Sequence, residues 1–382
     1  MANDYSAVLQ TILSRASLKL RQSALMPQMV NRSIGEEFKK QGQSIDIDMP
    51  GTGTLVDVVP SATPRAAPDY TAVPKTLTLS WWKESPFKLD DQDRQFLQKG
   101  EDGKPLALPQ RIEDAVDAVA DGVNDLILES YKDVYNTVGS VGTIPFASTT
   151  AIAGEAKAII SSAGSMNLNN LMMVLEPFAY NNAAQIVKFA DASASTDPNV
   201  IIEGRVGRKL GFNWVELNKM PYHTAGTGGT ITSNGAHATT GVTTISIANS
   251  AAGTLLEGDI ITIAGDTQNY VVGADVTWSG AGNQNVTISP GLKIALAGSD
   301  AITRLGSHTV NLAFHPDAIA FASRQMDDPD RDEKLIQFLT DPVSGLALRV
   351  EKERQHKQTV WSIDCLAGVV TLLPSRIVRV IG

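Results

Sequence analysis

Apolar positions along this chain follow several different periods in turn. From Tyr5 to Gln22, Val8, Leu9, Ile12, Leu13, Ala16 and Leu20 recur at helical spacing, with Arg15, Lys19 and Arg21 off that stripe. The spacing predicts an amphipathic helix with one adhesive face, which either packs on the chain's own core or serves as an arm on another molecule. Ser44-Ile45-Asp46-Ile47-Asp48-Met49 then alternates at period two, a strand with one apolar and one acidic face. Prolines 60, 64, 68 and 74 punctuate the next stretch, and a second alternating run from Thr76 to Trp82 brings the chain back. Two strands joined by about 25 residues of loop describe a long hairpin with little core of its own, a length seen where loops are functional. Trp81 and Trp82 are neighbours on a strand and point to opposite faces, one towards core and the other available as an interface anchor.

After Pro109, Ile112, Val116, Val119, Val123, Leu126, Ile127 and Val134 recur at three- and four-residue steps, with aspartates between them. This predicts the chain's strongest helix, roughly 25 residues and roughly 35–40 Å long; the aspartates read as its solvated face. Between Gly154 and Phe212 helix and strand alternate: a helix over Glu155–Ser162, an apolar strand at Leu171–Leu175, a helix opened by Pro177, and a strand at Phe212–Leu217.

The texture changes at His223. From Thr224 to Gly306 the chain is rich in Gly, Thr, Ala, Ser, Val and Ile, and no helical period survives. Short runs at Thr243–Ile247, Asp259–Ile263, Tyr270–Val272, Val286–Ile288 and Ala301–Arg304, separated by turn residues, predict a small antiparallel barrel or sandwich. Beyond it, Asn311–Ala318 leads into an expected helix reaching Met326. Strands are expected at Leu346–Val350, Val360–Ile363 and Ile377–Val380. An all-β island flanked on both sides by mixed sequence implies an inserted domain, and the chain as a whole reads as α+β.

Composition narrows the function classes. The 382 residues, 43% of them hydrophobic, suffice for two or three cores. The chain has no run of eighteen apolar residues, so no membrane span is expected, and its start carries no signal-peptide pattern. A single cysteine, Cys365, excludes an intrachain disulfide and a thiolate metal cluster; it reads as a small buried hydrophobe. The net charge of −9 and the short basic clusters Arg205/Arg208/Lys209 and Lys352/Arg354/Lys357 leave no stripe for gripping nucleic acid.

Catalytic patterns are missing too. His223, His237, His308, His315 and His356 have no metal-ligand spacing, and Gly204–Gly211 matches neither a dinucleotide fingerprint nor a phosphate loop. No nucleophile elbow occurs. Asp327–Asp332 lacks the glycine turn and distal glutamate of a calcium loop. No catalytic, cofactor or metal residue is nominated.

Several passages nonetheless stand in the order of one family. They are Glu36-Glu37-Phe38 and Gly42–Pro50 after the first helix, the hairpin with its tryptophan pair, and the long helix before Tyr131. Met173–Pro177, Gly204-Arg205-Val206-Gly207 with Gly211-Phe212, and His223–Gly226 opening the insert follow. Leu256–Gly265 and Ile288-Ser289-Pro290 lie within it, and Asn311–Ile319, Ser344–Arg349 and Asp364–Val369 after it. In this the chain resembles the major capsid (coat) proteins of short-tailed bacteriophages whose subunits carry an inserted β domain. Each motif alone is weak; their order over nearly the whole chain carries the resemblance.

The resemblance implies the Hong Kong-type tailed-phage capsid fold. Its parts would be an N-terminal arm (1–43), an extended hairpin loop (44–85) and a peripheral domain with a spine helix (86–139). An axial domain would be split as 140–223 and 307–382, with return strands of the peripheral domain around 346–363, and the inserted barrel-like domain would be 224–306. It implies a non-enzymatic shell subunit of the virion, assembled in the bacterial cytoplasm as pentamers and hexamers, with no cofactor and no membrane. Its partners would be copies of itself, a scaffolding protein, a portal protein, loosely enclosed double-stranded DNA and, where one exists, a decoration protein. Ile12, Leu13, Leu20, Arg65, Tyr70 and Trp81 are the expected assembly contacts. A β-rich adhesin or tail-associated binding protein accounts for the insert but for neither the long helix nor the split domain.

Overall fold

The computed structural model describes residues 19–33, 44–49, 57–58, 60, 73–90, 108–164, 168–186, 204–237, 239–326 and 336–382. Ile12, Leu13, Arg65, Tyr70 and the acidic run Asp327–Asp332 lie outside the described residues. In chain order the strands begin with β1 (Ser44–Met49), β2 (Val73–Thr78) and β3 (Trp81–Asp90), followed by the long helix α1 (Leu108–Leu128) and a 3₁₀ turn at Glu129–Asp133. Then come β4 (Thr137–Gly139), α2 (Ala151–Ser162), β5 (Leu171–Leu175), α3 (Pro177–Gln185), β6 (Arg208–Lys209), β7 (Phe212–Glu216) and β8 (Tyr222–His223). The insert supplies β9 (Ile231–Ser233), β10 (Thr244–Asn249), β11 (Gly253–Leu255), β12 (Ile260–Ile263), β13 (Asn269–Val272), β14 (Val276–Trp278), β15 (Gly282–Ser289) and β16 (Ala301–Arg304). The chain closes with β17 (His308–Phe314), β18 (Ile319–Arg324), β19 (Ile336–Thr340), β20 (Ala347–Gln355), β21 (Gln358–Thr371) and β22 (Ile377–Ile381).

Two compact units emerge. The first draws its described residues from Arg32–Val119 and Ala320–Leu372, with Lys19. Its five-stranded sheet runs β18-β21-β20-β19, with β3 also on β21, and β1 and β2 form a separate antiparallel ribbon. The ribbon keeps the alternation expected from sequence: Ile45 is buried, Asp46 is exposed, and Thr76 Oγ1 donates to Asp46 Oδ1 at 2.6 Å across the register pair. Ile45, Leu77 and Leu79 pack with Ala322, Leu366 and Val370, which roots the ribbon on the sheet. Cys365 is buried, as expected of a small hydrophobe, and burial pushes its thiol up to about 12.

The second unit comprises Leu20–Asn31, Ala120–Ile319 and Leu373–Gly382. Its mixed seven-stranded sheet has the order β4-β22-β17-β5-β7-β6, with β8 on β17. One face holds Leu171, Met173, Leu175, Phe212, Trp214, Val378 and Val380 against α2 and α3, through small residues such as Ala156 and Ala183 that let the helices approach closely. The insert is a closed six-stranded barrel, β10-β15-β13-β12-β16-β9, packed around Ile245, Ile247, Ile261, Tyr270, Val272, Val286 and Ile288. Closure settles the choice between barrel and sandwich and leaves the barrel's own strands no edge to blunt, while β11 and β14 pair as a separate two-stranded ribbon.

Two expectations are corrected. The segment after Pro316 is not a helix: it makes one 3₁₀ turn, Pro316–Ala318, and continues as β18. Ile319, Ala320, Phe321 and Ala322 are all buried, and a run buried on every side suits a strand covered on both faces better than a one-sided helix. The tryptophan pair does not end the returning hairpin strand. That strand stops at Thr78, and Trp81 begins β3, which pairs with β21 from Trp81↔Ala367 to Asp90↔Gln358.

Gly368 in β21 sits where a Cβ would run into the backbone carbonyl of Thr78. Gly368→Ala is therefore expected to push the ribbon off its seat. Limited proteolysis should show faster cleavage within 44–80, while the far-ultraviolet circular dichroism stays near that of the wild type.

Candidate functional site

The barrel is joined to the seven-stranded sheet by two chain crossings, one leaving β8 and one entering β17. At this neck His223 and His308 are register partners, and Val310 N–H donates to the Pro221 carbonyl at 2.9 Å. So narrow a covalent link leaves the barrel's orientation to noncovalent contacts.

Those contacts converge on the turn Leu256-Glu257-Gly258-Asp259. Asp259 N–H closes it on the Leu256 carbonyl at 3.0 Å, with Gly258 at φ +90° in the third position, a backbone state that glycine adopts without strain. The Asp259 carboxylate has no exposed surface. It accepts from His223 Nε2 at 2.9 Å, from Leu256 N–H at 2.8 Å and from Gly226 N–H at 3.1 Å. One buried anion thus gathers the turn, the first residues of the insert and β8.

The carboxylate can only accept, so His223 carries its proton on Nε2; this assigns the tautomer from the hydrogen-bond partners. Nδ1 is then an acceptor, and Tyr131 Oη, from the 3₁₀ turn after α1, donates to it at 3.2 Å. Burial pushes the Tyr131 hydroxyl up and keeps it protonated. Over the Tyr131 ring, 5.0 Å from its centroid, lies the guanidinium of Arg379 from β22.

Arg379 is fully buried and donates from Nη1 to the Gly258 carbonyl at 2.8 Å. Its Nε and Nη2 find no hydrogen-bond partner among the described residues. Burial brings its pKa down to about 9, against the opposing pull of Tyr131 and Asp259, so it stays charged at neutral pH. His308, whose ring centroid is 5.4 Å from that of His223, donates from Nδ1 to the Gly306 carbonyl at 2.7 Å, and its Nε2 also has no partner among the described residues. Burial holds the imidazole below its usual range, with Arg379 and His223 adding to the effect, so His308 is neutral.

Tyr131, His223 and Asp259 form a line that could relay a proton, but each is less than a tenth exposed. A catalytic group must touch a substrate, and these side chains touch the sheet and the barrel. What the arrangement does is orient. Hydrogen bonds fix direction as apolar contact cannot, and polar contacts outside this core repeat the tie: Asn269 Nδ2 donates to Thr137 Oγ1 at 2.9 Å, and Lys132 pairs with Glu257 at 3.9 Å. Among the described residues no group of three His, Cys, Asp or Glu side chains is disposed to hold a metal ion.

A second polar group lies on the five-stranded sheet. Arg349 grips Asp364 with Nε at 3.1 Å and Nη2 at 2.6 Å, and Trp82 Nε1 donates to the same carboxylate at 2.9 Å. The indole is thereby pinned by its polar atom while 57% of the residue stays exposed. Of the expected contacts, Trp81 is half-buried and Leu20 has no exposed surface. Sequence reasoning did not bring together Tyr131, Asp259, His308 and Arg379. A signal was present at two of them: a histidine at each border of the insert, and one arginine within the apolar run Ile377–Ile381.

No protein-family model matches the chain, and no curated protein matches it significantly. Solved structures do. A chain of Mycobacterium phage Che8 is 14% identical, with 92% of this chain and 89% of that one covered at a TM-score of 0.53. A chain of the cyanophage P-SCSP1u capsid is 11% identical (93% and 86% covered, TM-score 0.49), and one of the bacteriophage PhiM1 mature capsid 12% identical (90% and 82%, TM-score 0.46). The likeness to the Che8 chain, over nearly the full length of both, shows a shared fold.

Asp259→Ala would leave His223 Nε2–H and two backbone N–H groups buried without acceptors, and Arg379 without its nearby anion. The expected loss is on the order of 3 kcal/mol, the size seen when one partner of a buried charged set is removed. Urea unfolding monitored by tryptophan fluorescence measures it.

Proposed function

We propose that this chain is the major capsid protein of a tailed bacteriophage, a structural subunit that assembles with copies of itself into the icosahedral shell around double-stranded DNA. The observation that carries the reading is the fold shared with the Mycobacterium phage Che8 chain, and the ordered motifs of the sequence agree with it. In this reading 1–43 is the arm, 44–85 the extended hairpin loop, 86–139 the peripheral domain with α1 as its spine, and 140–223 with 307–382 the axial domain. The barrel at 224–306 is the inserted domain. Pentamers and hexamers form around a scaffolding protein, with a portal protein at one vertex, and the acidic chain (net charge −9) encloses DNA without gripping it. The shell is the virion's outer container, and no helix among the described residues is long and apolar enough to cross a membrane.

A chain built for this task needs rigid modules and exposed anchors rather than a substrate cleft. The ribbon β1–β2 and the pinned, outward Trp82 suit that need; intersubunit contacts on the order of 1,600 Å² each would bury such surface. A tail-associated or adhesive role explains the barrel alone.

Electron microscopy of the chain expressed with its neighbouring genes tests the reading. Closed shells or capsomer-sized rings are expected, whereas a monodisperse monomer that never assembles, even beside a scaffolding partner, would refute it. Trp82→Ala removes an exposed ring and one hydrogen bond to Asp364. It is expected to cost the isolated subunit about 1 kcal/mol while lowering the yield of shells at least tenfold, as scored by sedimentation.

A further inference from the structure

We propose that the barrel's neck is a proton-operated joint: a proton placed on His308 loosens the barrel from the seven-stranded sheet while barrel and sheet each stay folded. The placement of the residue motivates this. His308 begins β17 at the point where the chain leaves the insert, directly across the register from His223, where the chain comes in. The buried ties of His223 to Asp259 and of Arg379 to Gly258 lie in the same cluster, while Asn269–Thr137 and Lys132–Glu257 are polar contacts outside it.

The cluster accommodates a neutral His308 and has no provision for a charged one. Its Nδ1–H is already committed to the Gly306 carbonyl, and a proton added at Nε2 would meet no acceptor among the described residues. The titratable and charged groups that act on it are the His223 ring of β8, Arg379 of β22 and Asp259 of the turn before β12; behind them Tyr131 of the 3₁₀ turn lies edge-on to the His223 ring at 5.6 Å. Arg379 already places one positive charge in this buried space. The sole carboxylate of the set, Asp259, already accepts from His223 and the backbone N–H groups of Gly226 and Leu256, and its one negative charge already faces the Arg379 cation. Opening the neck to water removes the conflict, because the imidazolium and the guanidinium are then solvated separately.

The direction follows from linkage. Burial lowers the affinity of closed-state His308 for its proton, so the open neck binds a proton that the closed neck does not. Closure is therefore fully favoured above the ordinary imidazole range, about pH 6.5. It weakens as pH falls below that value, by up to about tenfold per pH unit until the closed form is protonated too. The barrel's own core of Ile245, Ile247, Val272 and Ile288 is apolar, and burial pushes the hydroxyl of its one tyrosine, Tyr270, up to about 12, far above this window, so it has no reason to respond.

Hydrogen exchange followed by mass spectrometry on the full chain between pH 7.5 and 5, corrected for intrinsic exchange, tests this joint. Amides of the neck, at Ala225 and Val310, are expected to lose protection by up to about tenfold per pH unit below about 6.5, while those of Ile247 and Val272 in the barrel hold theirs. His308→Gln, which keeps a polar side chain but cannot titrate, is expected to abolish the response. Neck protection that does not change with pH, simultaneous loss in neck and barrel, or an undiminished response in His308→Gln would each overturn the proposal. If the variant fails to fold, the His308 ring titration in the wild-type chain, read by NMR, decides instead, and a midpoint at or above about 6.5 overturns it. The measurements are made on the unassembled subunit and do not depend on shell formation, so they stand or fall separately from the capsid reading.

Discussion

The carboxylate of Asp259 is the constraint on which the second unit depends. A closed barrel satisfies its own backbone hydrogen bonds and fills its own interior, so nothing in it requires a particular orientation on a neighbouring sheet. Its two chain crossings meet in a single short pairing of β8 with β17, and a two-residue neck resists rotation poorly. Burying an anion at the barrel's base changes this. An unpaired carboxylate in a dry interior is costly; the N–H groups of Gly226 and Leu256 come from the insert itself, and the donor on the sheet side, His223 Nε2, is in place in one orientation only. The burial penalty itself makes the orientation specific.

Arg379 belongs to the same arrangement for a related reason. Replacing a buried charge by an apolar side chain is often neutral or favourable for stability, so a fully buried arginine with a single hydrogen bond is a poor device for stability alone. Its reach is what the site uses. From the centre of β22 it crosses the face opposite α2 and α3, packs against the Tyr131 ring and holds the Gly258 carbonyl. One side chain thereby connects a central strand of the sheet, the segment after the long helix and the turn that presents Asp259. Specificity of placement is bought here with incomplete pairing.

The local elements were largely legible from sequence because they rest on periodicity. The three- and four-residue recurrence from Ile112 onward marked α1, the alternation at Ser44–Met49 marked β1, and the Gly/Thr-rich interval with short β runs marked an inserted all-β body. The segment after Pro316 misled because Ile-Ala-Phe-Ala has no polar face to distinguish a buried strand from a buried helix. The site was legible in pieces only. Leu256–Asp259 stood out as a motif, but the spacing of a turn does not reveal that its aspartate is buried, nor that partners come from residues 131, 223 and 379. Those contacts are set by sheet order, with β22 placed between β4 and β17, and that order is not written in any local pattern.

The five-stranded sheet uses the same chemistry to a different end. Asp364 is nearly buried, and Arg349 grips it from β20 while Trp82 reaches it from β3, so three adjacent strands are cross-linked through one carboxylate. At the barrel's base all partners of the anion turn inward, and the result is a joint. On the sheet one partner keeps most of its apolar ring in water while its only polar atom is satisfied, and the result is a rigid exposed anchor. An indole that is already oriented loses little freedom when a second surface covers it, so more of its burial energy is available to association. The same residue type, an aspartate with more donors than one side chain supplies, thus fixes an internal body in one place and prepares an outer surface in the other. The difference lies in where the donors' apolar parts point, which is a property of the fold.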